Sequence, residues 1–141
     1  MNKGACFIDE EYTPFLMFQG NAEEAMNHYI SIIEDSEITS IDLYGPNELG
    51  TEGSVKHATF TLKGQTFMCI DSNVQHGFTF TPSFSIYLSC ESEAEIEKLY
   101  GALIDGGSAM MPLGNYGFSE QFGWIADKFG VSWQLDLPNK A

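Results

Sequence analysis

Basic residues are scarce in this chain: six lysines and no arginine stand against twenty aspartates and glutamates, a formal net charge of -14 at pH 7. Such a surface repels phosphate backbones and anionic lipid, so neither nucleic acid nor a membrane is expected as a partner. The acidic run from Glu91 to Glu97 reads as the solvated face of a helix start. Cysteine is equally sparse. Cys6, Cys69 and Cys90 are odd in number and far apart, with no Cys-x-x-Cys spacing, which argues against a disulfide framework and a zinc knuckle and fits a reducing cytoplasm. No apolar stretch is long enough to span a bilayer, and residues 1–10 lack a basic region followed by a long apolar core. A cytoplasmic location is therefore expected.

What the chain does have is a copy of itself. Shifted by 71 residues, Phe15 to Glu24 falls on Ile86 to Glu95: a short apolar run, then a capping residue (Asn21 or Ser92), then a glutamate three positions on (Glu24 or Glu95), the pattern of a reciprocal capping box. The same shift carries Tyr29 onto Tyr100 and Ile33 onto Ile104, so the buried stripe of each helix repeats. A second echo, shifted by 66, lays Lys63-Gly64-Gln65-Thr66-Phe67-Met68 over Phe129-Gly130-Val131-Ser132-Trp133-Gln134, a glycine followed by an alternating strand. With 141 residues the chain buries roughly two-thirds of its unfolded surface as one domain. Two copies of one small unit would create a cleft between equivalent sheet faces.

Hydrophobic periodicity places strands near 13–19, 36–44, 55–62 and 65–71, with a helix from Asn21 to about Glu34 whose inner face is Ala22, Ala25, Met26, Tyr29, Ile32 and Ile33. The second copy has strands near 84–90, 109–111, 122–127 and 131–137, with a helix from Ser92 to about Asp105 that stops at Gly106-Gly107. This is an α+β chain of two tandem β-α-β-β-β modules, a single domain over 1–141 with module one about 12–72, a connector 73–82 and module two about 83–138. A tight turn at Lys63-Gly64 pairs Leu62 with Gln65, setting His57 opposite Ile70 and Thr59 opposite Met68 on one face. The internal shift adds Tyr87 and Gln134, with Leu16 and Phe18 from the first strand. These eight residues are the expected ligand-binding set: mostly apolar, with convergent polar groups, on the side of a curved mixed sheet that the helices leave free.

Phe15-Leu16-Met17-Phe18 with Gly20-Asn21-Ala22-Glu23-Glu24-Ala25, His57-Ala58-Thr59-Phe60 before Gly64-Gln65, Phe67-Met68-Cys69-Ile70-Asp71, and Gly123 through Gln134 together resemble the PhnB-like branch of the vicinal oxygen chelate, or glyoxalase/bleomycin-resistance, superfamily. The resemblance covers nearly the whole chain and implies the same duplicated fold. It also implies metal-ligand positions near Pro14, Met68, Ser85 and Gln134, where the superfamily's enzymes carry His, Glu or Gln. Here proline has no side-chain donor, methionine suits soft ions and a lone serine is weak, leaving Gln134 as the one ready ligand. No cofactor is therefore expected, a divalent metal held by His57 and Gln134 being the alternative. Relatives of this branch are often labelled demethylubiquinone methyltransferases, but a Rossmann-type methyltransferase places a glycine-rich turn after a strand, whereas Gly106-Gly107 follows a helix.

His57 is the candidate catalytic residue, because an imidazole on a ligand-facing strand can act as acid, base or metal ligand. His28 and His76 are read as surface groups, Asp71 as an edge or turn cap, and Asp127 as a local backbone acceptor before Lys128-Phe129-Gly130. Trp124 and Trp133 are expected as a stacked pair beneath the helices, and Cys69 as a buried, inert thiol. The 114–121 loop, with Tyr116 and Phe118, is either a lid or ordinary surface. Three functions follow: a metal-free binder of a small, largely apolar molecule, a divalent-metal enzyme of the superfamily with a rearranged site at His57 and Gln134, or a regulatory or assembly protein. The resemblance implies a homodimer.

Overall fold

The structure, a computed structural model, describes residues 12–140. The elements are β1 (Phe15–Phe18), α1 (Ala22–Ile32), β2 (Ser36–Leu43), β3 (Val55–Leu62), β4 (Gln65–Asp71), β5 (Ser85–Ser89), α2 (Glu93–Ile104), β6 (Ser108–Gly114), β7 (Gln121–Ala126) and β8 (Ser132–Leu137). They form two four-stranded sheets with the same plan, ordered β1-β4-β3-β2 and β5-β8-β7-β6. In each, the helix carries the chain to the far edge and two antiparallel connections return it, so the last strand lies parallel to the first. The duplicated β-α-β-β-β reading holds, as two separate mixed sheets. The chain divides into two compact units, Met1–Gln75 and His76–Ala141. Among the described residues no helix is long and apolar enough to cross a membrane.

In the first unit α1 buries Ala22, Ala25, Met26 and Tyr29 against β3 and β4. The sheet answers with Leu16, Phe18, Ala58, Phe60, Leu62, Phe67 and Cys69, all buried. Each large side chain in this layer stabilises the fold by about 1.5–3 kcal/mol. The β3–β4 hairpin turns where expected: Lys63 and Gly64 both have positive φ (50° and 83°), the requirement of a type I′ turn whose twist suits the strands. Leu62 pairs with Gln65 and Thr59 with Met68.

In the second unit α2 buries Ile96, Leu99 and Leu103 over Leu88, Ile125, Trp133 and Leu135. Gly123 lies under Tyr100 of the helix, and a Cβ there would come within 3.0 Å of that ring. Its missing side chain sets how closely helix and sheet approach. Strand β6 runs further than expected, through Pro112 to Gly114. It is an edge strand, where proline's missing N–H costs no ladder bond.

The two helix starts differ. Ser92 accepts from the Glu95 backbone at 3.1 Å while the Glu95 carboxylate accepts from the Glu91 backbone at 2.8 Å, a capping box displaced by one residue at its acidic arm. Asn21 makes no side-chain cap bond, correcting the expectation drawn from Asn21 and Glu24. Its place is taken by Asp71: Oδ1 accepts from the backbones of Gly20 and Ala22, and Oδ2 from that of Val55 at 2.9 Å.

Candidate functional site

Strand parity defines the helix-free face of the first sheet. His57 and Thr59 alternate with the buried residues of β3 and are half-buried, as are Met68 and Ile70 on β4. Parallel pairing sets Phe15 beside Met68 and Met17 beside Ile70, adding an apolar edge; Phe15 is 53% exposed. Asp42 of β2 stands directly opposite His57, a neighbour the sequence hid because β2 is exposed almost throughout and shows no clean alternation.

Leu16 and Phe18 are not on this face. They pair with Cys69 and Asp71 and are 5% and 2% exposed, inside the core beneath α1. The cause is a slip of one residue in the internal alignment. By burial and strand parity, Leu16 and Phe18 correspond to Ile86 and Leu88, not to Tyr87 and Ser89, the partners that a shift of 71 gives them. A slip of one turns every side chain of a strand to the other face.

The helix-free face of the second sheet carries Tyr87 and Gln134, which are direct neighbours in the parallel β5–β8 pair. Trp124 lies on the other side of Gln134 in the β7–β8 ladder, whereas Trp133 pairs with Ile125 on the core face. The two tryptophans therefore do not stack; Trp133 instead donates from Nε1 to buried Asp127 at 2.9 Å, whose other oxygen accepts from the backbones of Phe129 and Val131. The face holds a polar chain: Trp124 Nε1 donates to Ser132 Oγ at 2.9 Å, Ser132 and Ser85 share a hydroxyl bond at 2.6 Å, and Gln134 Nε2 donates to Ser85 Oγ at 3.3 Å. Further along β8, buried Asp136 accepts from the Ser119 hydroxyl and faces the Tyr87 phenol. Burial first, then the Asp136 charge and hydrogen bond, hold Tyr87 above the ordinary tyrosine pKa. Ser119 and Asp136 escaped the sequence reading because polar residues at a strand end and in a loop have no periodic signal.

The four positions that the superfamily uses for a metal do not fit a hard divalent ion. Pro14 offers only its backbone carbonyl, which accepts from Met68 N at 2.9 Å. Met68 is a thioether, and Ser85 is engaged by Ser132 and Gln134. Among the described residues no group of three His, Cys, Asp or Glu side chains is placed to hold a metal. His57 belongs to the first unit and Gln134 to the second. Burial, the larger cause, and the Asp71 charge push the Cys69 thiol up to about 12, far from a thiolate nucleophile.

The sequence model of the 3-demethylubiquinone-9 3-methyltransferase family matches residues 10–136. The chain belongs to this family. A protein from Bacillus cereus, provisionally described as a 3-demethylubiquinone-9 3-methyltransferase and PhnB protein, is 58% identical over 91% of this chain and 99% of its own, with a TM-score of 0.89. Protein PA1353 from Pseudomonas aeruginosa is 28% identical over 94% of this chain and all of its own (100%), with a TM-score of 0.81. The fold extends to the fosfomycin resistance protein FosX of Listeria monocytogenes, at 12% identity over 94% of this chain and 96% of its own and a TM-score of 0.61. The expected PhnB-like membership and glyoxalase/bleomycin-resistance fold are thus established. No curated protein sequence matches the chain.

Proposed function

We propose that this PhnB-like protein binds a small, largely apolar molecule on the helix-free sheet faces and does so without the superfamily's usual metal set. The observation that carries the reading is the row formed by Phe15, Met17, Met68 and Ile70 on β1 and β4, beside β3, which presents His57 and Thr59. Half-exposed apolar side chains with a few polar groups among them are the usual composition of a ligand site. Tyr87 and Gln134 extend the reading to the second sheet. The donor chemistry at Pro14, Met68, Ser85 and Gln134 supports the metal-free form. A symmetric homodimer and a cytoplasmic setting belong to the same proposal; analytical ultracentrifugation at micromolar concentration checks the first.

Methyl transfer, the activity in the family's name, is not part of the proposal. The β1–α1 turn has one glycine, Gly20, and the Asp71 carboxylate already occupies the helix N-terminus, unlike the open glycine-rich turn of a Rossmann site. The test is denaturation with and without a panel of hydrophobic metabolites, since a ligand that prefers the native state raises the midpoint. No shift across the panel contradicts binding. Metal analysis of wild type and His57→Ala separates the alternative: stoichiometric metal lost with that change favours a metalloenzyme.

A further inference from the structure

The second sheet carries a buried charge without a counter-charge. Asp136 is 6% exposed, and among the described residues it pairs with no lysine or histidine; the neutral Ser119 hydroxyl donates to it and the Tyr87 phenol faces it. Burying a carboxylate on neutral donors alone is costly, and a cation brought to it recovers much of that cost. Because the Ser119 hydroxyl donates to Asp136, its remaining lone pairs are what it offers to a newcomer, and lone pairs accept from donors.

Beside this acid lies an aromatic platform. Phe122 is opposite Asp136 in the β7–β8 ladder. Phe118, next to Ser119 in the chain, packs edge-on to it at 5.1 Å. Tyr116 stacks with Phe118 at 6.3 Å and an interplanar angle of 18°. Both outer rings are exposed, at 44% and 58%, yet the loop that bears them is fastened: the Tyr116 hydroxyl donates to the Pro112 carbonyl at 2.5 Å, Asn115 Oδ1 accepts from Gly117 N at 2.8 Å, and the Glu120 backbone bonds Leu137 at 2.9 Å. Rigid, exposed aromatic faces attract cations through their quadrupoles.

We infer that this end of the second sheet selects a planar organic cation, an amidinium or protonated heterocycle, which lies along Tyr116 and Phe118 and donates toward Tyr87, Ser119 and Asp136. The inference rests on the small-molecule reading above and narrows it to a ligand class. An anion meets the carboxylate and outward lone pairs, and a neutral ring leaves the charge unpaired. The formal charge of -14 adds a long-range bias of the same sign.

The test is titration of the full chain with benzamidinium, benzamide and benzoate at physiological ionic strength, followed by NMR at Tyr87, Trp124 and Phe118. Benzamidinium is expected to bind about tenfold or more tightly than benzamide, and benzoate to show no saturable binding. Asp136→Asn should erase the preference for the cation. Phe118→Ala, at an exposed position that leaves the fold intact, should weaken benzamidinium several-fold. Equal affinity for the three compounds, or cation binding unchanged by both variants, overturns the inference. If none of the three binds while a neutral hydrophobic metabolite raises the unfolding midpoint, the cation class falls and the broader reading survives. If nothing in either panel binds, both fall.

Discussion

Asp71 and Ala22 lie 49 positions apart in sequence and are joined by a buried hydrogen bond of 3.0 Å, from the helix N-terminal amide to the carboxylate at the end of β4. One side chain thereby ties the start of α1, the β1 exit at Gly20 and the first residue of β3. Replacing Asp71 by alanine leaves these three N–H groups without their acceptor, and the expected loss is about 3 kcal/mol or more in urea unfolding. Asparagine keeps one acceptor oxygen and should lose less. A change below about 1 kcal/mol for the alanine variant contradicts the capping role.

The face assignment is tested by neighbours on β1. Leu16→Ala opens the core beneath α1 and should cost about 2–4 kcal/mol, while Met17→Ala, half-buried on the other face, should cost under about 1.5 kcal/mol. Equal losses would mean that β1 does not alternate as its pairing with β4 requires.

Much of this architecture was legible in the residues, and the failures have one physical root. The β3–β4 register could be read because Lys63-Gly64 permits a two-residue turn, which fixes every pairing beyond it. Ser92 with Glu95 likewise carries its cap in local sequence. Connections that set parity without such a signature were misread. A shift of 71, one residue off the burial match of β1 with β5, puts Leu16 and Phe18 on the wrong face, and the longer β7–β8 turn puts Trp124 in the core. Asn21 was expected to cap its helix, whereas the acceptor comes from Asp71, a tertiary contact that no local pattern contains.

The pKa of Cys69 makes stability depend on alkaline pH. Its native value is raised from 9.0 to about 12, so the thiol form is favoured in the fold. The stabilisation is complete below pH 9 and declines as pH rises from 9 toward 12, where the unfolded thiol ionises and the native one does not. Cys69→Ala should flatten the part of the alkaline decline due to this group in urea midpoints measured across that range. At pH 8 alkylating reagents should label Cys69 only on unfolding; rapid labelling of the native protein at this position would contradict its burial.

Tyr87 offers a second titration. Burial and the Asp136 carboxylate hold its ionisation above the ordinary 10.0, so the phenol loses its proton at a higher pH than a free tyrosine. Asp136→Asn removes the charge and should lower the Tyr87 transition in an absorbance titration, resolved by comparison with Tyr87→Phe. An unchanged or raised transition would show that Asp136 does not act on Tyr87.

The most direct measurement of the central claim is an NMR titration of the methyl-labelled protein with whichever hydrophobic metabolite raises the unfolding midpoint. Binding on the helix-free face predicts saturable shifts at Met17, Met68 and Ile70, with Leu62 and Leu103 in the two cores undisturbed, and weakened binding in His57→Ala. Shifts confined to the cores or helices, or saturation that leaves Met68 and Ile70 unmoved, would contradict the account.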